Sequence, residues 1–203
     1  MKRKSKGLSK REQLLNTALE LFARQGIHAT GIDTIAEQSR VTKKTLYAHF
    51  HSKDELVLAV LRHYDGLARN EFMRHVERRG KTPQARLLAI FDVAQRWFQQ
   101  NNFYGCLFIN TIGEYSDADT PIRQICKEYK KLVKGYIREL CEQAGALDPN
   151  ELAEELALIL EGATVTAQVS QNPKTAHIAK RAAKALIDKA IPQTRSTRSA
   201  HSQ

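Results

Sequence analysis

Thr30-Gly-Ile-Asp-Thr-Ile-Ala-Glu-Gln-Ser-Arg-Val-Thr-Lys-Lys-Thr-Leu-Tyr-Ala-His-Phe50 decides the fold of this chain. Ile32, Ile35 and Ala36 recur at helical spacing, and Val41, Leu46 and Phe50 do so again a few residues later. Ser39 to Val41 leave room only for a tight turn between the two runs. Two short helices joined in this way form a helix-turn-helix. Thr30, three residues before Asp33, and Thr42 stand where N-caps belong. With the apolar residues turned inward, the second helix presents Thr42, Lys43, Lys44, Thr45, Tyr47 and His49 outward.

The same start and stop signals extend outward from this stretch. Ser9…Glu12 opens a helix whose Leu14, Ala18, Leu21 and Phe22 share a face and which stops at Gly26. Ser52…Glu55 opens another, with Leu56, Val60, Leu61, Tyr64 and Leu67 on one face. Thr82-Pro83, Thr120-Pro121, Asp148-Pro149 and Asn172-Pro173 each place a capping residue before a proline. The first helical position needs no N–H, so such pairs mark helix starts. The reading is nine helices at 9–25, 31–38, 42–50, 53–79, 82–101, 104–115, 120–144, 148–171 and 173–190, with no hairpin signal and no period-2 alternation. The expected fold is all-α: a three-helix head at 9–55 and a helical body at 56–190. A disordered basic tail is expected at 1–8 and a second tail at 191–203, after Pro192.

Composition narrows the function. The net charge is +10, and residues 1–53 carry eleven Lys/Arg against Glu12, Glu20, Asp33 and Glu37, a surplus of seven. A polyanionic partner suits such a field. No apolar run reaches the ~18 residues of a membrane span, and the N-terminus lacks the apolar stretch of a signal peptide. Cys106, Cys126 and Cys141 are odd in number and form no Cys-x-x-Cys pair, so they read as free thiols in a cytoplasmic protein. His49-x-His51 lacks a third ligand nearby, and there is no phosphate loop, nucleophile elbow or paired-carboxylate signature. No enzyme activity, metal or cofactor is expected.

In a helix-turn-helix the second helix enters the major groove of double-stranded DNA. Lys and Thr can meet base edges, while Tyr, His and Lys can hold phosphates. The alternative is two polar helix faces in a bundle. Segment 20–61 decides between them by resemblance. Glu20-Leu21-Phe22-Ala23…Gly26, Thr30…Ile35-Ala36, Val41-Thr42-Lys43…Thr45-Leu46-Tyr47…His49-Phe50 and Ser52-Lys53…Leu56 resemble the DNA-binding head of the TetR family of transcriptional regulators. The resemblance implies that Thr30 caps its helix and donates to phosphate. It places Thr42, Lys43, Lys44 and Thr45 at bases or adjoining backbone, and Tyr47, His49 and Lys53 at phosphates. Half-buried packing is the other reading of Tyr47, and mere exposure that of His49. Two residues depart from the family pattern. Arg40 stands where a turn glycine is usual, so it either takes a strained left-handed backbone or gains a phosphate contact. Lys44 stands where a small residue is common and alters which base is read.

The resemblance also implies a dimeric, ligand-responsive repressor on a palindromic operator. Leu152, Leu156, Ile159, Leu160, Gly162, Ala163 and Ala167 form the expected homodimer stripe. Trp97, Phe98, Phe103, Tyr104, Phe108, Ile109, Ile112 and Tyr115 are candidate linings of an effector pocket, or else core. Cys106, at the start of the sixth helix, resembles sites that sense electrophiles or oxidants, and is otherwise a small buried residue. A non-specific architectural DNA binder is a further alternative.

Overall fold

The computed structural model describes residues 8–115 and 117–192, and these contain nine helices and no strand. They are α1 (Lys10–Gln25), α2 (Ile32–Gln38), α3 (Lys43–His49), α4 (Lys53–Arg79), α5 (Pro83–Phe98), α6 (Leu107–Glu114), α7 (Pro121–Gln143), α8 (Pro149–Ser170) and α9 (Thr175–Ala190). The expected tails fall outside the described residues except at their inner ends, where Ile191 is buried against the body.

Capping chemistry sets most starts. Ser9 and Glu12 form a reciprocal capping box: the Ser9 hydroxyl accepts from the Glu12 amide, and the Glu12 carboxylate accepts from the Ser9 amide. Thr82, Thr120 and Asp148 each accept from the first turn of a helix that opens with proline. At Asn172-Pro173 the helix begins two residues later than expected. There the Asn172 side chain accepts from the Lys174 amide, forming a local turn that delays α9 until Thr175.

Two hydrophobic clusters organise the packing. One joins α5, α7, α8 and α9 with Val76 of α4. The other joins α1–α3 with Leu56, Val57, Val60 and Leu61 of α4, and also takes in Leu107, Phe108, Ile122 and Cys126 from α6 and α7. The 27-residue α4 therefore has one end in each cluster. Leu67, midway along it, is 53% exposed and does not continue the buried face.

The stripe expected at a dimer interface points the other way. Leu152, Leu156, Ala163 and Ala167 are at most 6% exposed, because α8 lies against α5, α7 and α9 of its own chain. Ile159 and Leu160 are partly buried on that same cluster, and only Gly162 is exposed. The exposed apolar positions of α8 are Leu158, Val165 and Val169, which with Gly162 follow the spacing i, i+4, i+7, i+11. α8 is apolar on two faces, and the larger residues of one of them fill the monomer core.

The turn between α2 and α3 closes as a Schellman motif. The Arg40 amide donates to the Glu37 carbonyl and the Val41 amide to the Ala36 carbonyl, both at 3.0 Å. Arg40 takes the left-handed backbone, φ 54°. α7 ends in the same motif, with Gly145 at the left-handed position, φ 75°. Arg40 pays a steric cost of ~1–2 kcal/mol that Gly145 avoids. Arg40→Gly should therefore stabilise the head by ~0.5–1 kcal/mol after the added freedom of the unfolded chain is deducted. Urea unfolding followed by helical circular dichroism checks this; an unchanged or lower midpoint would contradict it.

Candidate nucleic-acid interface and its cavity

α3 is anchored by Leu46 (0% exposed), with Val41 and Phe50 buried to either side. The opposite face is open. Thr42, Lys43, Lys44, Tyr47, Ala48 and His49 are exposed and Thr45 is half-buried. Thr42 is the N-cap: its hydroxyl accepts from the Thr45 amide at 3.1 Å and lies 2.8 Å from the Thr45 hydroxyl. Lys43 Nζ is 2.8 Å from Asp33 Oδ1 on α2, and this hydrogen bond holds its ammonium above the ordinary lysine value. Lys44 makes no ion pair or hydrogen bond among the described residues. Tyr47 is 43% exposed, so its ring stands free of the core.

Around this helix, Arg40 is exposed at the turn, and Lys53, at the first position of α4, donates to the His28 carbonyl at 3.4 Å. Arg11 of α1 sits 5.3 Å above the Phe50 ring, adding a cation beside the end of α3. Thr30 is a correction. Gly31, not Thr30, is the N-cap of α2, and Thr30 is 1% exposed. Its hydroxyl donates to the Gly26 carbonyl at 2.6 Å and closes the α1–α2 loop, which removes it from the phosphate-contacting set.

A cavity of about 690 Å³ opens between α1, α4, α5, α7, α8 and the start of α6. Of the expected lining residues it brings together Trp97, Tyr104 and Cys106. The others are used elsewhere. Phe98 and Phe103 pack on each other and on Trp97, with ring centroids 5.0–5.7 Å apart. Phe108 is fully buried and stacks on Tyr129 at 3.8 Å. Ile109 and Ile112 pack against the head cluster, and Tyr115 stacks on His28 at 5.1 Å. The remaining walls, which no spacing in the sequence marks, include Leu19 and Ala23 of α1, Tyr64 and Phe72 of α4, and Lys130 of α7. Burial pushes the Tyr64 phenol up to about 12 and that of Tyr129 well above the ordinary value. Both therefore stay neutral O–H groups in the wall. Lys130 and Glu161 form an ion pair at its edge, 2.6 Å apart.

α6 connects this cavity to the head. Cys106 and Leu107, at its start, line the cavity. At its other end the Glu114 carboxylate accepts from the amides of Ile27 and His28, at 2.8 and 2.6 Å, and lies 3.3 Å from His28 Nδ1. The Tyr115 hydroxyl donates to Asp54 at the start of α4. Gly26 approaches Glu114 so closely that a Cβ there would lie 3.2 Å from its Oε1, and its φ is 90°.

Similarity to known proteins agrees with this geometry. A family model described as "Bacterial regulatory proteins, tetR family" matches residues 14–60, and one described as "Tetracyclin repressor-like, C-terminal domain" matches residues 83–183. The chain belongs to the TetR family. The HTH-type transcriptional regulator YjdC of Escherichia coli is 26% identical over 180 residues, 87% of this chain and 93% of that protein. The HTH-type transcriptional activator FasR of Mycolicibacterium smegmatis is 54% identical over 59 residues, 29% of this chain and 27% of its own. The crystal structure of SCO4454, a TetR-family regulator from Streptomyces coelicolor, superposes with a TM-score of 0.83 at 26% identity, covering 90% of this chain and 96% of that one. The protein is thus a DNA-binding transcriptional regulator, as its relatives are described to be regulators of transcription. No described helix is long and apolar enough to cross a membrane, and no described cluster of His, Cys, Asp and Glu could hold a metal.

The Glu114 carboxylate ties this TetR-family head to its body, beside the Tyr115–Asp54 hydrogen bond and the shared hydrophobic cluster. Glu114→Ala removes the acceptor of two part-exposed amides, at a cost of about 2 kcal/mol. Hydrogen exchange at the Ile27 and His28 amides should quicken severalfold while α1 exchange stays near the wild-type rate. Unchanged protection at both amides would show the clamp to be dispensable.

Proposed function

We propose that this TetR-family protein is a ligand-responsive repressor that grips a palindromic operator as a homodimer and releases it when a small molecule enters the cavity. The observation that carries this reading is α6, which has cavity wall at one end and the head clamp at the other. A ligand that favours a displaced α6 shifts Glu114, and with it the α1–α2 loop and the start of α4. The separation of two heads then no longer fits half-sites one helical turn apart, ~34–36 Å. The ligand must prefer the released state, since equal affinity for both states shifts nothing. The mainly apolar and aromatic cavity suits a largely apolar effector.

Family regulators act as dimers. The exposed α8 face of Leu158, Gly162, Val165 and Val169, with Ile178 of α9 at 60% exposure, is the apolar surface that a second copy would cover. On the DNA side, Tyr47, His49, Arg40 and Lys53 serve as phosphate contacts, and the exposed face of α3 reads bases.

Three measurements test this. A double substitution, Val165→Glu with Val169→Glu, should yield monomers in sedimentation equilibrium and lose at least a hundredfold affinity for the full operator while keeping half-site affinity. A dimer that survives would place the interface elsewhere. Tyr47→Ala and Lys53→Ala should each weaken binding equally on all duplexes, and Lys53→Ala, which removes a cation, should also lower the salt slope by about 1. A loss confined to one sequence would contradict the phosphate role. Selection of bound duplexes from a random pool should return a palindrome, and equal binding to all duplexes at every salt concentration would point to an architectural protein instead.

A second reading is favoured by one observation. Cys106 alone of the three cysteines lines the cavity, whereas burial pushes Cys126 up to about 11 and Cys141 up to about 12. Under that reading a thiol-reactive effector modifies Cys106. Cys106→Ser should then block release by electrophiles or oxidants, and normal release would exclude it.

A further inference from the structure

α3 turns some of its candidate readers away from the groove and occupies others. At ~100° per residue, with Leu46 pointing straight into the core, Lys43 and His49 lie only ~60° from the buried direction. Thr45 and Tyr47 lie ~100° away. Lys44 and Ala48 lie ~160° away, one on each side of the outermost line. Both are exposed. Occupancy points the same way. Lys43 is drawn back toward α2 by Asp33, at 2.8 Å, and the hydroxyls of Thr42 and Thr45 face each other at 2.8 Å within the cap. Lys44 has no partner of this kind among the described residues. Ala48 adds only a methyl group, so the middle of the face is low enough for the helix to sit deep in the groove.

We infer that Lys44 and Ala48 are the base-reading pair of this head, and that Asp33 withholds Lys43 from base contact. The inference rests on the DNA-reading role of α3 given above. A lysine ammonium pairs with the O6 and N7 acceptors of guanine, and an alanine methyl packs on the thymine methyl. Four residues of helix span ~6 Å, about two steps of 3.4 Å along DNA. Each half-site therefore carries a G and a T about two base pairs apart. Lys43 and Asp33 act on the sequence-independent part of the affinity: Asp33 both repels phosphate and occupies a cation.

Selection from a random duplex pool, followed by titration of the selected operator and a scrambled duplex, tests this with the full-length protein. Wild-type protein should return the G and T at that separation. Lys44→Gln should move the preference at the G position toward A, the base that a glutamine amide matches, with a change in discrimination of tenfold or more. Lys43→Ala should leave the selected sequence unchanged and weaken both duplexes alike. Asp33→Asn should strengthen both duplexes alike, by about fivefold at 0.15 M salt, with a salt slope steeper by about 0.9. All three positions are exposed, and circular dichroism confirms that each variant folds. A selected half-site that survives Lys44→Gln but loses a base preference in Lys43→Ala overturns this inference and leaves the regulator reading standing. A wild-type protein that selects no sequence overturns both.

Discussion

A helical unit of about fifty residues buries too small a share of its surface to be robust alone, and the head of this protein meets the deficit by borrowing. Leu107, Phe108, Ile122 and Cys126 of the body complete the cluster that holds Leu46, Phe50 and Leu56. The exposed helix α3 is therefore positioned partly by α6 and α7. A displacement of those helices cannot leave the head untouched, because close-packed interiors transmit strain. The Glu114 clamp adds direction to this coupling by gripping backbone amides, which move with the loop as a whole and cannot swing aside as a side chain can.

The turn between α2 and α3 shows how local backbone chemistry sets a functional angle. The Schellman hydrogen bonds fix the exit path of α2, and Val41 follows directly into the core. Thr42 then caps α3 with its hydroxyl. Arg40 bears a left-handed strain that glycine would avoid, and it does so as an exposed cation beside the reading face.

Much of the fold was legible because short-range signals dominate it. Ser9 with Glu12, and the Thr-Pro and Asp-Pro pairs, mark helix starts through contacts spanning three residues or fewer, and the helices begin there. The inward set of Ile35, Ala36, Val41, Leu46 and Phe50 follows from period alone. The left-handed backbone at Arg40 was foreseeable from the family resemblance, which puts a glycine at that turn position. Thr30 was misplaced because its hydroxyl has two possible partners. A carbonyl four residues back outcompeted the helix ahead, and nothing in the order of residues ranks the two.

The sequence by itself determined the element order, the helix-turn-helix and the residues on its outer face, since these depend on neighbours along the chain. Only the tertiary structure decided which apolar face of α8 enters the core of the chain and which stays exposed, because both faces satisfy helical periodicity. It also decided the cavity, whose walls come from six helices, and the grip of Glu114 on amides 86 and 87 residues away. Long-range pairings of this kind follow from the packing of whole helices, and no spacing within one helix records them.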